Sequence, residues 1–130
     1  MALHVQFPYK ESRLKYLNCI LATCLHYPTK TDVYVHTNVD EFPQHLLKRY
    51  SNGHIIIVQH GQTDYLSWKA RHVIDIQKDA YDFIIYSDFD ILIPVKALEY
   101  YLYYYKSLKQ YKYNLGFIRT YNEKGFHYVK

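Results

Sequence analysis

The chain is short of several things at once, and each shortage excludes a class of protein. Only 22% of its 130 residues are charged while 49% are apolar, so it cannot be a disordered tail or a solvated linker. No apolar run approaches the roughly 20 residues a membrane-spanning helix needs. No basic segment leads into an apolar one at the start, so no secretory leader is read and the cytoplasm is the expected location. The two cysteines, Cys19 and Cys24, fall in one expected helix. At about 100° per residue they face different ways, so free thiols in a reducing compartment are expected rather than a disulfide. Lysine and arginine never form a run. The net charge of +4 therefore suits an anionic ligand and not a nucleic-acid interface. No repeat, low-complexity linker or domain boundary is visible, and the length is enough for one compact domain with a core. Tyrosine, by contrast, is abundant, with 17 copies, as a coding bias toward an AT-rich genome would produce.

Hydrophobic patterning gives an alternating order of strands and helices. Strands are expected at residues 3–7, 31–36, 54–60, 83–86 and 115–121, with Ile55-Ile56-Ile57-Val58 and Phe83-Ile84-Ile85-Tyr86 reading as runs buried on both faces. Helices are expected at residues 10–27, 41–50, 65–80 and from Pro94 to about 112. The first carries the stripe Leu14, Leu17, Leu21 and Cys24/Leu25 behind Ser12 as a candidate N-cap, and Pro43 falls in the first turn of the second. Such alternation implies an α/β fold: a Rossmann-like, mainly parallel sheet with helices on both faces.

The fourth strand runs into Ser87-Asp88-Phe89-Asp90-Ile91. In an open parallel sheet, ligands bind outside the carboxyl ends of the strands. In extended backbone, Asp88 and Asp90 share a face, with Cα atoms roughly 6.5–7 Å apart, and Phe89 turns into the core. Two hard oxygen ligands there suit Mg²⁺ or Mn²⁺, and such an ion binds phosphate oxygens in turn. The bland alternative is a pair of solvated acids near the positive end of the next helix. The eight histidines show no metal spacing; His54 and His60 bracket a strand, and the set reads as surface or satisfied core.

This order of elements closing on an Asp-x-Asp resembles the donor-binding half of the GT-A glycosyltransferases. Arg13-Leu14-Lys15-Tyr16-Leu17 opens the first helix much as in that superfamily. Leu66-Ser67-Trp68-Lys69-Ala70-Arg71 is similar to a Leu-x-Trp-Lys-His-Arg segment of some members, with Ala70 in place of the histidine. The stretch from Tyr81 to Ile91 looks like the strand entering their metal motif. The resemblance spans nearly the whole chain, residues 1–130. It implies a nucleotide-diphospho-sugar donor, UDP- or GDP-linked, bound through Mn²⁺ or Mg²⁺ on Asp88 and Asp90, with Asp90 preferred as the direct ligand. It further implies a diphosphate or sugar contact from Arg71, whose alternative is an ion pair with Asp75, and a base contact at Pro8 and Tyr9. The acceptor, whether glycan, lipid or protein, is not specified.

The resemblance also implies that the acceptor half and catalytic base of such an enzyme lie outside this sequence, which reads as a partial domain. Asp64, Asp75 and Glu123 are the other acids considered for the neighbourhood of the site, and none takes the base role. Haloacid-dehalogenase-like phosphatases share the Asp-x-Asp, but theirs begins the fold and precedes a threonine that Ile91-Leu92 lacks. A metal-dependent nuclease needs a further acid and a lysine that are not placed. The rival of a different kind is a non-catalytic α/β interaction or donor-binding module, with an exposed tyrosine face of Tyr100, Tyr103 and Tyr104.

Overall fold

The structure is a computed structural model that describes residues 1–112, 120–123 and 126–129. The chain forms two compact units, Met1–Val95 and Lys96–Lys130.

The first unit is a four-stranded sheet in the order β3-β2-β1-β4, with every pair parallel. Its strands are β1 (Ala2–Phe7), β2 (Asp32–Thr37), β3 (Ile55–Gln59) and β4 (Ile84–Asp88). Two helices connect them: α1 (Leu14–Cys24) between β1 and β2, and α2 (Leu66–Gln77) between β3 and β4. The two crossovers run in opposite directions along the sheet. Since parallel crossovers are right-handed, this puts the helices on opposite faces. The α/β, Rossmann-like reading therefore holds.

Register assigns the faces. Leu3, Val5 and Phe7 on β1 share a side with Val33, Val35 and Thr37 on β2, and α1 covers it with Leu14, Leu17, Ile20, Leu21 and Cys24. The opposite side carries His4, Gln6, Tyr34, His36 and Tyr86, a far more polar set, and α2 brings only Leu66 and Ala70 buried to it. The central strands β1 and β2 are mostly buried, whereas the edge strands β3 and β4 are mostly half-buried. That gradient is what a sheet flanked by one short helix per face produces. Cys24 is buried and Cys19 exposed, both free, as their angular separation requires.

Several boundaries differ from those expected. Residues 11–13 make a single 3-10 turn before α1, and Ser12 caps nothing. The helix expected at residues 41–50 is absent, with one 3-10 turn at Gln44–Leu46 in its place. Its backbone partners are taken by a side chain: Asn18 Oδ1 accepts the Lys48 N–H (2.8 Å), and Asn18 Nδ2 donates to the Leu46 carbonyl (3.4 Å). Strand β4 continues through Ser87 and Asp88 rather than ending at Tyr86.

The second unit contains most of α3 (Val95–Lys109) and an antiparallel pair, β5 (Thr120–Glu123) with β6 (Phe126–Val129). Of the strand expected at 115–121, residues 115–119 lie outside the described residues.

Candidate functional site

Strands β1 and β4 are neighbours, although β2 and β3 lie between them in sequence. The chain leaves β1 toward one side and returns on the other. The carboxyl ends of β1 and β4 therefore flank a topological switch point, where an open parallel sheet leaves a crevice. Gln6 stands opposite Asp88 in register, and the Phe89 N–H donates to the Gln6 carbonyl at 3.0 Å. Pro8 and Tyr9 thus emerge beside Asp88, Phe89 and Asp90.

The backbone turns sharply once β4 ends. The Ile91 N–H donates to the Asp88 carbonyl (3.2 Å), closing a turn over Phe89 and Asp90. The extended geometry that placed both aspartates on one strand face does not apply, because Asp88 is the last strand residue and Asp90 lies in the turn. Both aspartates are exposed, while Phe89 is half-buried. The Phe89 ring meets Phe7 edge-on at 5.8 Å and Tyr16 at 6.1 Å.

Aromatic rings build the floor under this strand end. Phe7 is fully buried and contacts Tyr9, Phe42 and Phe89 edge-on. Tyr9 meets Phe42 at 5.8 Å, and its N–H donates to Asn38 Oδ1 (2.9 Å) in the segment after β2. Arg13 joins the two strand ends: its Nη1 donates to the Pro8 carbonyl at 2.9 Å, and its guanidinium lies 4.9 Å from the centre of the Phe89 ring. Sequence reasoning saw Arg13 only as part of a helix-opening motif. Its place five residues after Pro8, at the start of the expected first helix, is the one sequence signal that could have placed it here.

Arg71 is exposed on α2, with its guanidinium 5.5 Å from the Trp68 ring centre. The alternative partner Asp75 is engaged by Lys78 instead, at 3.5 Å. The charge of Arg71 is felt at Tyr86 on β4, whose hydroxyl donates to Gln6 Oε1. Burial raises the Tyr86 pKa, the Asp88 carboxylate raises it further, and Arg71 opposes them. Arg71, Tyr86 and Asp88 thus share one electrostatic neighbourhood. Among the described residues, Arg71 makes no hydrogen bond or ion pair with either aspartate.

As a metal centre the site is open. Among the described residues, no group of three or more His, Cys, Asp or Glu side chains is arranged to hold an ion. Two exposed carboxylates fit a hard divalent cation only where phosphate oxygens and water complete its shell. No helix among the described residues is long and apolar enough to cross a membrane. Compared with known proteins, the chain matches no family model, no curated protein and no solved structure.

Proposed function

We propose that the Met1–Val95 unit binds a nucleotide-diphospho-sugar, UDP- or GDP-linked, as the donor-binding part of a GT-A-like, metal-dependent glycosyltransferase. The observation that carries this reading is the switch point between β1 and β4, which brings Pro8 and Tyr9 to the same strand ends as Asp88 and Asp90. Tyr9 offers its ring to a base for stacking, from a backbone pinned by Asn38. Asp88 and Asp90 offer hard oxygens to Mn²⁺ or Mg²⁺, which when bound neutralises charge on the diphosphate leaving group. Arg71 supplies a second positive charge on the β4 side, and Arg13 keeps the floor rigid. In transfer, the anomeric carbon–oxygen bond to the diphosphate breaks and a new one forms to an acceptor hydroxyl of a glycan, lipid or protein, whose proton passes to a base.

Isothermal titration of the full chain with UDP- and GDP-sugars, with Mn²⁺ or with EDTA, tests this. Binding is expected with Mn²⁺, with at least a tenfold loss in EDTA and in the double variant Asp88→Ala, Asp90→Ala. Equal affinity in that variant removes the metal assignment, and no binding of any nucleotide removes the donor assignment. In the latter case a non-catalytic interaction module is favoured, because α3 exposes Tyr100, Tyr103 and Tyr104 in mutual ring contact.

A further inference from the structure

Three histidines that the candidate site does not use lie in a row across the α2 side of the sheet. His4 on β1 and His36 on β2 are fully buried, and His60, just past β3, is half-buried. His4 Nδ1 lies 2.9 Å from His36 Nε2, and His36 Nδ1 lies 2.9 Å from His60 Nε2. Successive rings are nearly parallel, with centroids 5.1 and 5.2 Å apart. At the inner end, His4 Nε2 is buried with no partner.

Proton counting fixes what such a row can do. Each N–H···N contact holds one proton, since one nitrogen must donate and the other accept. Three neutral imidazoles carry three protons on six nitrogens: one in each contact and one at either His4 Nε2 or His60 Nδ1. A fourth proton fits, because both outer nitrogens can then carry one and both contacts survive. A fifth forces two protons into a gap of 2.9 Å, and that contact breaks.

We propose that His4, His36 and His60 form an acid-operated latch, which stores one excess proton and on taking a second loosens the α2 side of the sheet. The surroundings offer no compensation for the added charge. Among the described residues, no carboxylate is hydrogen-bonded or ion-paired to any of the three. From α2, Lys69 donates to the His60 carbonyl (3.3 Å) and sets a like charge beside that ring. From β2, Tyr34 stacks on His4 at 4.7 Å, and its hydroxyl is held by Tyr81, which donates to Asp32. From β4, Tyr86 stands opposite His4 in register. Burial holds His4 down to about 4 and His36, with the neighbouring imidazoles adding, to about 3. Burial and then Lys69 lower His60 as well. The first proton therefore settles at His60, the least buried ring. Relief comes on the α2 side because α2 buries only Leu66 and Ala70, against five residues for α1.

Amide hydrogen exchange and imidazole ¹⁵N resonances of the full chain, from pH 7.5 to 4.5, test the latch. At pH 7.5 the nitrogens facing each other in each contact are expected to show one donor and one acceptor. On acidification, protection in α2 at Ala70 and Val73 is expected to fall at least tenfold relative to α1 at Leu17 and Leu21, with an apparent proton order above one. In His60→Phe, the first proton must enter the buried pair, so α2 opening is expected to move at least half a pH unit lower. Parallel loss of protection in both helices overturns the proposal, as does a proton order of one or less. An unshifted opening in a folded His60→Phe chain overturns it as well. If that variant does not fold, exchange in the unmodified chain alone decides.

Discussion

Arg13 acts as a strut between two strand ends, and its removal separates packing from ligand contact. Arg13→Ala loses the bond to the Pro8 carbonyl and the contact over Phe89. A charge-assisted bond and a partly exposed cation–π contact together suggest a loss of about 2 kcal/mol, read as a lower urea midpoint. Gly53 is constrained by space. A Cβ there would lie 2.2 Å from the Thr31 carbonyl oxygen and 2.8 Å from Asp32 Oδ1. Backbone cannot yield as a flexible side chain does, so Gly53→Ala is expected to cost about 2 kcal/mol or more, measured in the same denaturation series. At this scale, the sequence marked Asp88 and Asp90 because an apolar run gives way there to two acids one residue apart, whereas Pro8 and Tyr9 were marked only through the family resemblance. The histidine row left no such mark. His4, His36 and His60 meet only through the lateral register of three strands, and strand spacing along the chain carries no information about that register.

Both helices of the first unit were legible from their apolar stripes, although α1 buries five residues and α2 only two. The α1 stripe was read from periodicity and is buried at Leu14, Leu17, Leu21 and Cys24. Leu17→Ala is expected to cost about 2–5 kcal/mol, since the residue is fully buried and the site can collapse only partly. Ile76→Ala on α2 is expected to change stability by less than about 0.5 kcal/mol, because Ile76 is 71% exposed. Paired thermal melts distinguish a helix held by packing from one that packs lightly over a polar sheet face. The segment at residues 41–50 misled for a physical reason. Phe42 and Leu47 are its two buried residues, and five positions apart is not one helical face. The Asn18 side chain then supplies the partners that a helical ladder would have given to Leu46 and Lys48. The exit of β4 misled in the opposite direction. Its strand character extends two residues into the polar stretch because the Gln6 carbonyl on β1 is there to receive the Phe89 N–H.

For the whole molecule, pH dependence is set by groups the fold holds away from their ordinary ionisation. His4 and His36 are held neutral, about 4 and about 3 against 6.5 when unfolded. Between those values the unfolded chain binds more protons than the folded one. The stabilisation from neutral burial is therefore complete above pH 6.5 and drains away as pH falls toward 4 and then 3. Asp32 works in the same direction over a lower range. Burial pushes its pKa up, but the His54 N–H and the Tyr81 hydroxyl outweigh that, so its folded value lies below 3.8. Its stabilisation is present above 3.8 and lost as pH falls through the lower folded value. The two sets add on the acid side and never offset each other there. Each imidazole held neutral contributes a slope of about 1.4 kcal/mol per pH unit, so two contribute about 2.7 kcal/mol per pH unit. Urea unfolding of the full chain is expected to show a falling midpoint from pH 6.5 to pH 4.5, with about two protons taken up on unfolding. A flat midpoint across that interval would mean that the buried imidazoles are charged in the folded chain. Their N···N contacts would then be incompatible with the row, because five or six protons cannot share it.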